Sequence, residues 1–339
     1  MASIHGQAVH VHRKGGPEQL RLANQQFSEA GNGNVRVRVE AAGVAYGDLL
    51  LREGMVPGAP RQPVPGYDAV GVVDSVGVGV VGVAVGDRVA LRTEGTGGYA
   101  THVEGSASYV VPVSKTADAR QAAALVLNYV TAWQMLTRVA PVGDGGTILV
   151  HSAAGGVGSA LSELARLRGI TVLGTASGSR VAVLEARGVR AFDRSSWLRD
   201  VKAAVPGGLD AVFEGVGGAT SRRSLKLLGP GGQLVSYGAS SILVNGRRSL
   251  SGIIGAVGGT ARSSAFDLFR RGVGMNGYMS ASYIPAHPAW FRQDLVTLLA
   301  MLDNDDISPD IAGEYSFSRA ADAHRAVARG TAGKIVLVP

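Results

Sequence analysis

The chain has no cysteine in 339 residues, which removes disulfides, thiolate zinc sites and cysteine nucleophiles together. Its histidines, at positions 5, 10, 12, 102, 151, 287 and 324, show neither H-x-x-x-H nor H-E-x-x-H spacing, so no metal is expected. Lysine occurs only at positions 14, 115, 202, 226 and 334, leaving arginine to carry most of the net charge of +7. Those arginines are scattered, and aromatics make up only 6% of the chain; stacking on bases is poorly served and no nucleic-acid partner is expected. Neither a signal-peptide-like apolar core nor an apolar run of about 18 residues is present. The expectation is a soluble, cytoplasmic protein with no membrane partner.

What is present is ordinary globular composition, 46% hydrophobic and 17% charged, in a chain long enough for two domains. One stretch organises it. Ile148, Leu149 and Val150 suit a buried parallel strand, Ser152 to Gly158 is glycine-rich, and Leu161, Leu164, Ala165 and Leu167 give the apolar face of a helix. A strand, glycine turn and helix in this order let the backbone approach a pyrophosphate and offer it the unpaired N–H groups of a helix start. Set against G-x-G-x-x-G, the key positions are Ala153, Gly155 and Gly158, so alanine replaces the first glycine.

Residues 1–124 read as mainly β, in short runs punctuated by Gly, Pro, Asn and Asp, with the valine–glycine stretch from Val70 to Val85 divided into two strands. From about residue 120 the rhythm becomes strand–helix alternation with six strand candidates, which predicts a doubly wound parallel Rossmann sheet over 125–282. The elements after 282 are too few for a third domain and are expected to complete the first, giving a β-rich domain from 1–124 and 283–339. The fold class is α/β. The glycine- and serine-rich segment from Ala239 to Ala261 is expected as a long loop that covers the pocket or packs on a neighbour.

Several motifs then carry a resemblance: Glu40 to Gly54 (EAAGVAYGDLLLREG), Pro65 to Val73 (PGYDAVGVV), Gly86-Asp-Arg-Val, Ser152 to Gly158, Ser224 to Gly232 (SLKLLGPGG) and Gly333-Lys-Ile-Val-Leu. In this order they resemble the medium-chain dehydrogenase/reductase superfamily, and within it the zinc-free quinone oxidoreductase branch of zeta-crystallin and the vesicle amine transport protein. The resemblance implies a GroES-like catalytic domain, an inserted cofactor domain, and NADPH-dependent reduction of a carbon–carbon double bond conjugated to a carbonyl. It also implies a homodimer paired through the sixth strands.

The second strand of the alternating region, Thr171 to Thr175, is followed by Ala176-Ser-Gly-Ser-Arg180, with no carboxylate. An NAD-preferring site usually has one there; Ser177 and Arg180 suit a 2′-phosphate instead, so NADP(H) is the expected cofactor. Arg194 either flanks the adenine or phosphate or is an exposed cap. Gly155, Gly156 and Val157 are expected along the pyrophosphate. The resemblance places Tyr237 and Gly238 beside the nicotinamide, Asn128 and Thr131 at a helix start turned toward it, and Tyr278 in a pocket or dimer role.

In the first-domain loop, relatives often read Asn-Phe-x-Asp where this chain has Ala45-Tyr46-Gly47-Asp48. An amide is missing and a hydroxyl is available. Tyr46 is the candidate proton donor or carbonyl anchor, with core packing as its alternative; Tyr129 is a second candidate with the same alternative. Asp48 either braces the loop or joins the chemistry. Tyr67 is expected to pack and His151 to be structural. The missing amide and the apolar 239–261 segment point to a bulky hydrophobic enone or quinone as substrate. Two further readings stay open: a dedicated polyketide-like enoyl reductase or non-reductive enzyme on the same scaffold, and an NADPH-binding interaction protein without turnover.

Overall fold

The computed structural model describes residues 3–339. In chain order its main strands are β1 (Ile4–Val11), β2 (Leu20–Phe27), β3 (Asn34–Val44), β4 (Asp68–Val76), β5 (Arg88–Arg92), β6 (His102–Ser106), β7 (Val110–Pro112), β8 (Thr147–Val150), β9 (Thr171–Ala176), β10 (Arg190–Asp193), β11 (Leu209–Glu214), β12 (Leu228–Ser236), β13 (Gly274–Gly277), β14 (Ile311–Ser316) and β15 (Lys334–Val338). They fall into two compact units: residues 1–130, 245–247 and 284–339 form one, and 131–244 with 248–283 the other.

The first unit carries a sheet ordered β14-β15-β3-β4-β5-β7, with β6 paired to β3. Val35, Val37 and Val39 alternate inward along β3 and meet Val89 and Leu91 of β5, Tyr99, and Ile335 and Leu337 of β15 in one core. The valine–glycine stretch forms one strand rather than two. β4 runs through Asp74 and Ser75, and residues 77–87 turn back with Val78, Val81 and Val85 exposed. The valines beyond Val76 have glycines at 77, 79 and 82 between them, and Gly79 and Gly82 take positive φ, which ends the strand.

The second unit is a sheet ordered β10-β9-β8-β11-β12-β13, parallel throughout. The order reverses between β8 and β11, which makes their carboxyl ends the switch point where such sheets bind ligands. Ile148, Leu149 and Val150 are fully buried, each contributing about 1.5–3 kcal/mol. The segment 239–261 is not a loop: Ser240–Ile242 is a single 3-10 turn, and Leu250–Gly259 is a helix capped by the Ser249 side chain on the Gly252 N–H. Gly252 and Gly259 explain it. A Cβ at Gly252 would lie 2.3 Å from the Ser241 carbonyl oxygen, and one at Gly259 2.9 Å from the Ala219 nitrogen, so glycine on one face lets the helix lie on backbone. No described helix is long and apolar enough to cross a membrane.

Candidate functional site

The glycine turn in the second unit begins at Ser152, whose φ of 55° is left-handed, and leads into the helix Gly156–Leu167 through Gly155. Gly158 sets how closely that helix approaches: a Cβ there would lie 2.5 Å from the Ser152 carbonyl oxygen and 2.7 Å from the Ala153 Cα. Ala153, fully buried, replaces the usual first glycine without a positive φ. Its methyl group fits because residue 174 on β9 is glycine, where a Cβ would lie only 2.8 Å away. Gly155, Gly156 and Val157 occupy the helix start, where backbone N–H groups have no partner within the helix.

His151 braces the turn from below. The Ser224 hydroxyl donates to the Thr220 carbonyl at 2.8 Å, so its oxygen accepts from His151 Nε2–H at 2.8 Å. Nδ1 then accepts from the Thr175 hydroxyl at 3.0 Å, whose oxygen takes the Ser152 N–H at 3.3 Å. The Trp197 ring stands edge-on to the imidazole at 4.6 Å. Burial pushes the histidine down to about 3, so it stays neutral and its tautomer is held by its partners.

At the end of β9 the structure brings Ser177 and Arg180 together, with Arg180 Nη2 donating to Ser177 Oγ at 2.6 Å. Gly178 between them has a φ of 59°. Arg194 is exposed, and its N–H donates to the Ala176 carbonyl at 2.8 Å, joining the end of β10 to β9. A carboxylate not singled out from the sequence lies here as well. Asp193 accepts from the N–H and hydroxyl of Ser195 at 2.8 and 2.6 Å, and those bonds hold its carboxyl below the usual range, with the Gly178 N–H assisting.

Glu214, at the end of β11, was likewise invisible in the sequence. It is fully buried, takes the N–H groups of Val216 and Gly217 at 2.6 and 2.9 Å, and is pushed upward by burial against those bonds. Tyr237 packs on Gly215, where a Cβ would lie 2.9 Å from Cζ; burial first and then the Glu214 charge raise its hydroxyl. Gly238 follows it, exposed. Tyr278 is buried with its hydroxyl donating to Gln134 Oε1 at 2.8 Å. Thr131 is buried too. Asn128 and Thr131 do not stand at a helix start: the helical run begins at Ala119, where the Asp118 carboxylate takes the Arg120 and Gln121 N–H groups, and Asn128 and Tyr129 lie in its π-helical turn Leu125–Tyr129.

In the first unit the stretch after Ala45 is a helix, Tyr46–Arg52, not a loop. Asp48 makes it one by reaching back to the Ala45 N–H at 2.8 Å, as an acidic residue in a first turn can. Tyr99 donates to that same oxygen, Oδ2, at 3.0 Å, and the other oxygen, Oδ1, takes the Gly66 N–H at 2.8 Å. Behind Tyr99 the bonds have one direction. Arg52 Nη1 can only donate, so His324 Nδ1 accepts it at 3.2 Å and Nε2–H donates to Tyr99 Oη at 3.2 Å. Arg52 also binds Glu53, the Gly15 carbonyl and the Gly246 carbonyl. Burial raises Asp48 to about 7 and drives His324 well below its ordinary value. Nearby, Lys334 Nζ meets Asp68 Oδ2 at 2.8 Å, both buried, in space kept open by Gly43. Among the described residues no group of three or more His, Asp or Glu is placed to hold a metal ion.

A parallel sheet of this order, with a glycine turn opening a helix at its switch point, is a dinucleotide-binding Rossmann fold. Family comparison agrees: the alcohol dehydrogenase GroES-like domain matches residues 31–115, and the zinc-binding dehydrogenase family matches 187–337. The chain is 31% identical to the rat synaptic vesicle membrane protein VAT-1 homolog, over 96% of this chain and 82% of that one. It is 30% identical to rat quinone oxidoreductase, over 98% and 97%. A mycobacterial protein solved in complex with NADPH superimposes with a TM-score of 0.84 at 28% identity, covering 98% of this chain and all of that one. The chain belongs to the medium-chain dehydrogenase/reductase superfamily, among the relatives of VAT-1 and quinone oxidoreductase.

Proposed function

We propose that the chain binds NADP(H) and reduces quinones or α,β-unsaturated carbonyl compounds, with a bulky hydrophobic substrate. The observation that carries the cofactor is the Arg180–Ser177 pair at the end of β9, where a 2′-phosphate would find a guanidinium and a hydroxyl already joined at 2.6 Å. The turn fits the rest of the nucleotide, since the Gly158 approach, which a Cβ would block at 2.5 Å, brings the helix start close to the end of β8. The relatives support this reading: one is a quinone oxidoreductase and one was solved with NADPH.

When bound, NADPH supplies a hydride. The chain's own residues do the remaining work. Gly155, Gly156 and Val157 receive the pyrophosphate, Ser177 and Arg180 the 2′-phosphate with Arg194 at its flank, and Tyr237, Gly238, Asn128, Thr131 and Tyr278 belong to the nicotinamide side. Tyr46 offers a hydroxyl to the substrate, and Asp48 fixes the helix start that carries it. Holding the reacting carbons in line and opposing charge growth on the carbonyl oxygen is enough for this chemistry.

The test is titration with NADPH and with NADH, followed by nucleotide fluorescence, on the native chain and on Arg180→Ala. Loss of a hydrogen bond to a charged group is worth about 1.5–3 kcal/mol, so the variant should bind NADPH roughly 10- to 100-fold more weakly with NADH affinity unchanged. Equal NADPH affinity in the two proteins would show the phosphate assignment to be wrong. Clear preference for small quinones over aromatic enones would overturn the bulky-substrate part.

A further inference from the structure

We propose that Tyr67 is a catalytic residue of the reduction assigned above, its hydroxyl donating the hydrogen bond that holds the substrate's carbonyl oxygen as negative charge builds there. The inference rests on that assignment and adds to it a second hydroxyl beside Tyr46.

Tyr67 differs from the neighbouring Tyr99, whose hydroxyl is committed to Asp48. Among the described residues the Tyr67 hydroxyl makes no hydrogen bond, although the ring is half-buried. The ring sits between two glycines. A Cβ at Gly47 would lie 2.6 Å from Tyr67 Oη, and one at Gly95 3.5 Å from Cε1. The phenol thus lies along the first turn of the Tyr46–Arg52 helix, in a slot that a larger residue at 47 would close.

Its backbone is held on both sides. Asp48 takes the Gly66 N–H at 2.8 Å, the Thr93 hydroxyl donates to the Gly66 carbonyl at 2.8 Å, and the Thr93 N–H donates to the Tyr67 carbonyl at 2.9 Å. The same Asp48 takes the Ala45 N–H at 2.8 Å. One carboxylate therefore fixes the residue preceding each of the two tyrosines. A donor fixed before reaction costs nothing to reorganise as charge develops, which is what makes such a group effective. Burial and the Asp48 charge both raise the Tyr67 hydroxyl, so it keeps its proton at working pH.

The step balances without a further reagent. Hydride adds to the β-carbon, the C=C pair moves between the α- and carbonyl carbons, and the carbonyl π pair moves onto oxygen. Tyr67 donates to that oxyanion and keeps its proton, and the α-carbon then takes a proton from water as the carbonyl re-forms. One hydride and one proton are consumed.

The test compares Tyr67→Phe with the native chain in three readouts: NADPH affinity, turnover of 4-phenyl-3-buten-2-one, and binding of 4-nitrophenolate, an enolate mimic, followed by absorbance without nucleotide. Removal of one oxyanion donor costs about 10²-fold or more in kcat, so that loss is expected with NADPH affinity unchanged and 4-nitrophenolate bound roughly tenfold more weakly. Gly47→Ala, which keeps the hydroxyl but displaces it, should lower kcat in the same direction. Native turnover matched by Tyr67→Phe, or a loss confined to Tyr46→Phe, overturns the role of Tyr67 while the reductase reading stands. A native chain that binds NADPH but reduces neither enones nor quinones overturns both.

Discussion

Tyr99→Phe is the most informative single change in the first unit, because Tyr99 joins a neutral histidine to a carboxylate whose charge varies near neutral pH. The variant leaves His324 Nε2–H without its 3.2 Å acceptor and takes one donor, at 3.0 Å, from Asp48. The first loss costs about 1–3 kcal/mol and does not vary with pH, since His324 stays neutral. The second does vary. Asp48 stands at about 7 in the folded chain against 3.8 for an ordinary aspartate. With a carboxyl raised on folding, the native state keeps its proton after the unfolded chain has lost one, so stability falls as pH climbs from the lower value and levels off above the higher. A hydrogen bond to a charged acceptor is worth about 1.5–3 kcal/mol, or roughly one to two pH units, so its loss should move Asp48 to about 8–9. The fall then continues beyond the point where the native protein has levelled off. Melting temperatures of both proteins at about pH 6 and about pH 9.5 read the difference: at 2–4 °C per kcal/mol, the gap should widen by roughly 3–12 °C at the higher pH. A gap of the same size at both values would refute a charged Asp48 held by Tyr99.

Gly174→Ala places a methyl group 2.8 Å from the Ala153 Cβ and 2.8 Å from Val189 Cγ1, and urea unfolding should show a loss of about 1–3 kcal/mol. Adding Ala153→Gly should restore part of it, with a coupling above about 0.5 kcal/mol in the double-mutant cycle; simple additivity would refute the compensation between the two positions. Lys334→Met leaves a buried Asp68 carboxylate that already has one oxygen without a partner, and should cost about 3–5 kcal/mol in the same assay. Lys334→Met with Asp68→Asn should recover more than half; a double variant no better than the single would show that the charge is not what matters.

Local patterns disclosed more of this molecule than distant pairings did. The 147–168 stretch could be read because a buried strand, a glycine turn and an amphipathic helix each leave a short-range signature. Ser177 and Arg180 were legible for the same reason: the strand end that carries them is marked by its own apolar run, and they are brought together at 2.6 Å. The helix at Leu250–Gly259 was hidden because glycine has poor helix propensity, and only contact with the Ser241 and Ala219 backbones turns that into an advantage. Tyr46–Arg52 was hidden because its start depends on Asp48, whose partners Gly66 and Tyr99 lie 18 and 51 residues away. Tyr67 is expected from the sequence to pack, and its ring does lie against Gly47 and Gly95; nothing local marks those two neighbours, 20 and 28 residues away. His151, expected to be structural, is buried with both ring nitrogens bonded; its reach to Thr175 and Ser224 across 24 and 73 residues could not be seen.

The position of β15 has a consequence for how the chain is made. β15 lies between β14 and β3, inside its sheet, yet it consists of residues 334–338. Its antiparallel partners on β3, Ala42 to Val44, are synthesised some three hundred residues earlier. Arg52 must likewise wait for Gly246. The Rossmann unit, drawn from 131–244 and 248–283, is therefore fully synthesised while the first sheet still has an open interior edge. On a ribosome the second unit can fold first, and the strands emitted earliest must be kept from pairing elsewhere until the last of their neighbours arrives.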